Sequence, residues 1–243
     1  MGARLAYKRQ RMIPFSQRLI VALDVPSVHQ ARALVETLGD SCNFYKIGLQ
    51  LLFTGGSEFA RELADEGKRV FIDAKLLDIS ATVERAVVNI ATLGASFLTV
   101  HSYPKAIKAA AKARGTNPLK ILAVTVLTDM DDSDLKAIGY GQSAKEAVLM
   151  RAKIAMDSGA DGVIASGEEA ASIRAIAREG FLIVTPGIRR AADAAGGQKR
   201  IVTPAQAIKA GADHIVVGRP IVEAAGPAAE ARAILAEIES ALR

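Results

Sequence analysis

The stretch Phe71-Ile72-Asp73-Ala74-Lys75-Leu76-Leu77-Asp78-Ile79 places three charged residues at the end of what otherwise reads as a buried strand. Asp73 and Lys75 are two apart, so on a strand they project from the same face. Asp78 follows after a short turn, close enough to join them. The inner face of a sheet or barrel is ordinarily filled by Val, Ile or Leu, because an unpaired buried charge is strongly destabilising. The pattern therefore reads as a catalytic Asp-Lys-Asp array rather than a solvated salt bridge. An ammonium held beside carboxylates can hand a proton to a carbanion as it forms. A carboxylate aimed at a substrate carboxylate would repel it and favour departure of CO2.

Such an array needs a scaffold that gathers distant residues. From Leu19 onward, short β-rich apolar runs alternate with helical patterns. The expected strands are Leu19–Asp24, Phe44–Gly48, Arg69–Asp73, Phe97–His101, Ile121–Leu127, Gly162–Ala165, Leu182–Thr185 and His214–Gly218. Helical spacing marks Ser80–Thr92, Ala144–Ser158 and Glu168–Arg178 among the segments between them. Eight strands, each followed by a helix, predict an α/β fold, a single-domain (β/α)8 TIM barrel over residues 19–243. A doubly wound open sheet is the alternative, but the first turn, Asp24-Val25-Pro26-Ser27, lacks a GxGxxG. In a barrel the polar residues ending the strands meet on one face: Asp24, Lys46, Asp73, Lys75, His101, Ser102 and Thr128.

The last two loops read as a phosphate site. Thr185-Pro186-Gly187-Ile188-Arg189 follows the seventh strand and begins a long loop reaching Gln198, which suits a lid. Val217-Gly218-Arg219-Pro220 follows the eighth and opens a helix. Glycine admits backbone amides to an anion, and Arg219 can grip its oxygens in a bidentate way. A hydrolase triad does not fit, since the adjacent His101 and Ser102 point to opposite faces. His29 and His214 lack metal-ligand spacing and read as structural or exposed, so no metal is expected.

Composition narrows the class. Of 31 basic residues in a chain of net charge +5, five (Arg4, Lys8, Arg9, Arg11 and Arg18) fall in residues 1–18, which hold no acid. The remaining 26 basic residues balance 26 acidic ones. Residues 1–18 are thus expected to be a basic arm, disordered or a non-native leader, rather than a nucleic-acid site. Aromatic residues are too few for a stacking platform. No apolar run is long enough to span a membrane, and no secretory h-region follows the first charges, so a cytoplasmic protein is expected. The single cysteine, Cys42, reads as a small buried residue.

At these residues the chain resembles the bacterial orotidine 5′-monophosphate decarboxylase family. The DxKxxDI signature stands as Asp73-Ala74-Lys75-Leu76-Leu77-Asp78-Ile79, with Thr82 beyond it. Val21-Ala22-Leu23-Asp24, Lys46-Ile47-Gly48, Val124-Thr125-Val126-Leu127-Thr128 and the two phosphate-corner runs extend the likeness. The resemblance implies loss of CO2 from orotidine 5′-monophosphate to give UMP, the last step of de novo pyrimidine synthesis, without a cofactor. It further implies that Lys75 protonates C6 of the pyrimidine, that Asp73 faces the substrate carboxylate, and that Lys46 and Asp78 complete the charge network. Asp24 and Lys46 would meet the ribose, Thr128 the pyrimidine edge, and Pro186, Arg189, Gln198, Gly218 and Arg219 the phosphate end. Asp78, Ile79 and Thr82 would line the substrate site, Asp78 and Thr82 reaching that of a neighbouring subunit in a homodimer. Ser80 and Ala81 stand where family members often have Pro and Asn, and Tyr103 where a small residue is usual. Metal-dependent sugar-phosphate enzymes of the same suprafamily share DxKxxD but carry Glu in place of Lys46, and a lysine there would repel Mg2+.

Overall fold

The computed structural model describes residues 13–190 and 202–243. Eight parallel strands close into a barrel in sequence order: β1 (Leu19–Ala22), β2 (Phe44–Gly48), β3 (Arg69–Leu76), β4 (Phe97–His101), β5 (Lys120–Val124), β6 (Gly162–Ile164), β7 (Leu182–Thr185) and β8 (His214–Val217). The pairing of β1 with β8, Leu19 opposite Ile215 through Val21 opposite Val217, completes the ring. The predicted (β/α)8 barrel is the fold.

Side-chain alternation divides the core into two layers. Ile20, Ala22, Phe44, Phe71, Phe97, Leu122, Leu182, Val184 and Val216 fill the barrel interior. The intervening residues, among them Val21, Tyr45, Ile47, Val70, Ile72, Leu98 and Ile183, pack outward on the helices. Phe44, Phe71 and Phe97 meet edge to face, with ring centroids 5.0 and 5.9 Å apart along the row. Each fully buried phenyl contributes about 2 kcal/mol. Because the period is two, continuing the inward row toward the C-terminal mouth reaches Lys46, Asp73 and Thr99, so the pleat itself delivers charge to the barrel's open end.

Several helix starts are set by side chains that accept backbone amides. Ser27 caps Val28–Leu38, and capping boxes open Asp132–Ala137 (Asp131 with Asp134), Ala144–Asp157 (Ser143 with Glu146) and Pro204–Lys209 (Thr203 with Gln206). Element ends differ from expectation where local geometry intervenes. β5 stops at Val124 because β6, its partner, ends at Ile164; Thr125 instead donates its hydroxyl to the Ile164 carbonyl at 2.8 Å. The helix expected over Glu168–Arg178 spans Ala170–Ile176, since Ala177 turns extended.

The N-terminal arm requires a correction. Residues 1–12 lie outside the described residues, but 13–18 are part of the barrel. Arg18 is completely buried: its Nε donates to the Ile13 carbonyl and its Nη1 to that of Asp213, while its own carbonyl accepts from Ile215. The folded body therefore begins before Leu19. The basic count had grouped Arg18 with an arm expected to be disordered or a non-native leader; its carbonyl partners, invisible in composition, draw it inside.

Candidate active site

At the barrel mouth four charges form a chain. Lys46 Nζ lies 2.9 Å from Asp24 Oδ1 and 3.4 Å from Asp73 Oδ2, and Lys75 Nζ lies 2.9 Å from the same Asp73 oxygen. The alternation of acid and base sums to zero formal charge. Exposure grades along it: the Lys46 and Asp73 side chains are 10% and 12% exposed, Lys75 29% and Asp24 52%. Thus the inner pair is fixed in the wall, while Lys75 and Asp24 face the opening.

The strand geometry that sets this up departs from a plain pleat. Ile72 pairs with Leu98 and Leu76 with Val100, so β3 spends four steps where β4 spends two. This bulge spans Asp73, Ala74 and Lys75, and Lys75 takes φ 48°, the one positive φ at a non-glycine among the described residues. Bulges beside active sites re-aim side chains. Asp73 and Lys75 do share the site, but through the bulge rather than simple alternation.

Burial works against the charge of Asp73, yet Lys46 and Lys75, with hydrogen bonds from Lys75 and Thr99, outweigh it and hold the carboxyl below its ordinary range. The neighbouring His101, ending β4, is lowered first by burial and then by the charges of Arg151 and Lys75. Together these outweigh the opposing pull of Asp73 and favour the neutral imidazole. Ser102 is turned away, its hydroxyl donating to the Val124 carbonyl at 2.7 Å, so no serine–histidine pair forms. His214 is buried, with Nδ1 2.9 Å from the Gln17 carbonyl and its ring edge-on to Phe44 and Phe97; His29 is exposed. Cys42 is buried, and burial pushes its thiol up to about 11.

Gly48, quoted above only as part of a motif, has a spatial reason to be glycine. A Cβ there would stand 2.9 Å from Lys46 Nζ and 3.0 Å from Asp24 Oδ1. Its missing side chain is the space in which that ion pair sits. Thr99 was missed as well, because a threonine in a strand is common; only its inward position, one step beyond Phe97 in the alternating row, could have flagged it.

The corner expected to hold a phosphate adjoins the charge chain. A Cβ on Gly218 would be 3.8 Å from Asp24 Oδ2, in ordinary contact, so β8's end borders Asp24. Gly218 caps Arg219–Val222, and Arg219 is exposed with no ion pair among the described residues. Arg189 is half-buried; its amide donates to the Val202 carbonyl at 3.3 Å, beside the Ile188–Val202 bridge. Those contacts join the two ends of the loop after β7. Arg190 ties the same point to Glu230 and Glu237 at 3.2 and 2.7 Å. Gln198 lies outside the described residues. Pro186 is half-buried at the start of this loop, and Thr128 is exposed in the turn after β5.

Asp78 does not join the charge chain within this polypeptide. Its carboxylate accepts the Ile79 amide at 2.6 Å, at the turn that starts helix Ser80–Ala91, and Asp78, Ile79 and Thr82 are all exposed. The turn caps its own backbone instead of folding back. The segments after β2, β3 and β4 also expose Phe53, Leu77, Ile79 and Tyr103, Phe53 to 85%.

A cavity of about 340 Å3 opens at the opposite end, lined by Ile13, Arg69, Phe97 and His214 among others. The mouth is nevertheless the candidate site: it holds the linked carboxylates and amines, and barrel enzymes react at the C-terminal ends of their strands.

Residues 17–234 match the family described as Orotidine 5'-phosphate decarboxylase / HUMPS. An orotidine 5′-phosphate decarboxylase of Rhodopseudomonas palustris (strain BisB5) is 57% identical over 224 residues, 92% of this chain and 95% of that protein. One from Afipia carboxidovorans is 57% identical over 222 residues, 91% of this chain and 94% of that protein. Among solved structures, orotidine 5′-phosphate decarboxylase from Lactobacillus acidophilus superposes with TM-score 0.81 at 36% identity, covering 91% of this chain and 99% of that one. The enzyme from Pyrococcus horikoshii gives 0.75 at 28% identity, covering 91% and 99%.

Proposed function

That the chain belongs to the orotidine 5′-phosphate decarboxylase / HUMPS family is the premise from which we propose its reaction: orotidine 5′-monophosphate loses CO2 to give UMP, in pyrimidine biosynthesis. The observation that carries this reading is the Asp24–Lys46–Asp73–Lys75 chain at the barrel mouth. The substrate carboxylate docks against Asp73. As the C6–carboxylate bond breaks, its electron pair stays on C6, and Lys75 Nζ transfers a proton there. The resulting neutral amine is partly exposed and takes a proton back from solvent. Lys46 holds Asp73 ionised and in place, so the repulsion of two carboxylates is relieved only as CO2 departs. The Lys46 ammonium contacts both Asp24 and Asp73, and its charge opposes a divalent cation at this position, which supports chemistry without metal or cofactor.

Around this centre, Asp24 and Lys46 bind the ribose hydroxyls and Thr128 the pyrimidine edge. Pro186, Arg189, Gln198, Gly218 and Arg219 hold the phosphate end. Binding energy gained at that remote end is available to orient the base, and so should appear in kcat. The enzyme works as a cytoplasmic homodimer in which Asp78 and Thr82, with Ile79 beside them, complete the partner's site. The outward turn at Asp78 and the apolar surface of Phe53, Leu77, Ile79 and Tyr103 support this arrangement. No helix among the described residues is long and apolar enough to cross a membrane.

The direct test follows the ultraviolet absorbance of orotidine 5′-monophosphate with purified protein and excess chelator. Turnover to UMP is expected; a folded protein that leaves the nucleotide untouched sinks the proposal. Shared sites are tested by mixing Lys75→Ala and Asp78→Ala chains, which should regain part of the activity that each lacks alone. A mixture as inactive as its components would remove the sharing.

A further inference from the structure

Resting on the decarboxylation reading, we infer that Thr99 is a positioning residue for the proton donor, its single hydroxyl fixing both the backbone of Lys75 and the carboxylate of Asp73. Thr99 is completely buried on β4. Its Oγ1 donates to Asp73 Oδ1 at 2.9 Å and accepts the Lys75 amide at 3.0 Å. A hydroxyl offers one proton and two lone pairs, so one atom can serve both partners at once.

The need for such a clamp comes from the bulge. Where β3 takes four steps against two of β4, regular ladder pairing lapses, and the Lys75 amide finds its partner in a side chain. Lys75 is also held at φ 48°, a conformation that an L-residue keeps only when its surroundings over-determine it. Thr99 supplies that determination. Asp73 Oδ2, the carboxylate's other oxygen, then accepts from Lys75 Nζ at 2.9 Å. A closed loop results: Thr99 hydroxyl, Asp73 carboxylate, Lys75 ammonium, Lys75 backbone, and Thr99 again. Inside it the ammonium cannot swing away without breaking a hydrogen bond at a buried atom. The groups facing the loop are Lys46, bonded to Asp73 and Asp24, and His101 at the end of β4.

Thr99→Val keeps the branched shape and removes the hydroxyl; Thr99→Ser keeps the hydroxyl. In Thr99→Val, kcat should fall about ten- to a hundredfold, as expected for stranding a buried charged acceptor and an amide, while KM stays within about twofold. The acid limb of the kcat profile should move to higher pH, because Thr99 is one of the groups that hold Asp73 ionised. Thr99→Ser should restore most of the rate. If Thr99→Val does not fold, Thr99→Ala replaces it with the same expectations. Independently of turnover, hydrogen exchange at the Lys75 amide should be protected in wild type and Thr99→Ser and fast in the hydroxyl-less variant. Equal protection in all three, or wild-type kcat without the hydroxyl, overturns the inference. A wild-type protein inert toward orotidine 5′-monophosphate that still shows the exchange difference would overturn the reaction and leave the clamp standing.

Discussion

Both ends of the barrel carry networks of buried charge, and they are wired differently. At the N-terminal end Arg174 donates to the Gly211 and Phe181 carbonyls as well as to Asp213, which also accepts the Ile183 amide. Arg114 reaches the Leu119 carbonyl and Asp161, which accepts the Ile121 amide. These side chains staple backbone to backbone and spend their hydrogen bonds doing so. At the mouth, Asp24, Lys46, Asp73 and Lys75 bond chiefly to one another, and the outer members are open to solvent. On the proposed reading, the same residue types serve structure where peptide groups share their bonding and chemistry where they bond chiefly to one another.

The contrast is broken most severely from the two ends in turn. Lys75→Ala should lower kcat by at least about a thousandfold, equivalent to ~4 kcal/mol in the barrier, with the denaturation midpoint almost unmoved. Asp213→Ala should do the reverse. Removing one partner of a buried, amide-bonded ion pair should cost about 3 kcal/mol in urea unfolding, while kcat per folded molecule is retained. Similar activity losses from both substitutions would erase the distinction between the ends.

A gentler probe sharpens it within the mouth. Gly48→Ala pushes a methyl against Lys46 Nζ and Asp24 Oδ1, at a backbone conformation alanine adopts freely. The flexible lysine tip yields, so stability should change little while kcat/KM falls about tenfold, or ~1.4 kcal/mol. Unaltered kinetics would show that the Asp24–Lys46 contact is dispensable. The smallest effect is in pH. Asp73 has a folded acidity constant below its ordinary 3.8, so its stabilising contribution is complete above that value and is lost as pH falls through the lower one. Unfolding free energies of wild type and Asp73→Asn should thus differ in slope below about pH 4, and parallel curves would contradict the depressed value.

The barrel was legible because period-two alternation and the β-then-α rhythm depend only on residue type. So were the charges at strand ends, since Lys46 and Asp73 continue inward rows begun by Phe44 and Phe71. What escaped depended on relations between distant backbones. Nothing in Ala74 announces a bulge, which arises from a mismatch in length between β3 and β4. Gly48 is explained only by atoms that a side chain would displace. Arg18 was indistinguishable by composition from the basic residues before it until its carbonyl partners, including that of the distant Asp213, were in view. The outward turn at Asp78 reflects a bond to its own following amide, which spacing cannot distinguish from a turn back toward Lys75.

The left-handed backbone at Lys75 carries a cost of its own. A residue with a Cβ there gives up about 1 to 2 kcal/mol relative to glycine. Glycine would relax the backbone but take away the ammonium paired with Asp73. The strain is thus tied to the one group at that position that can carry a proton.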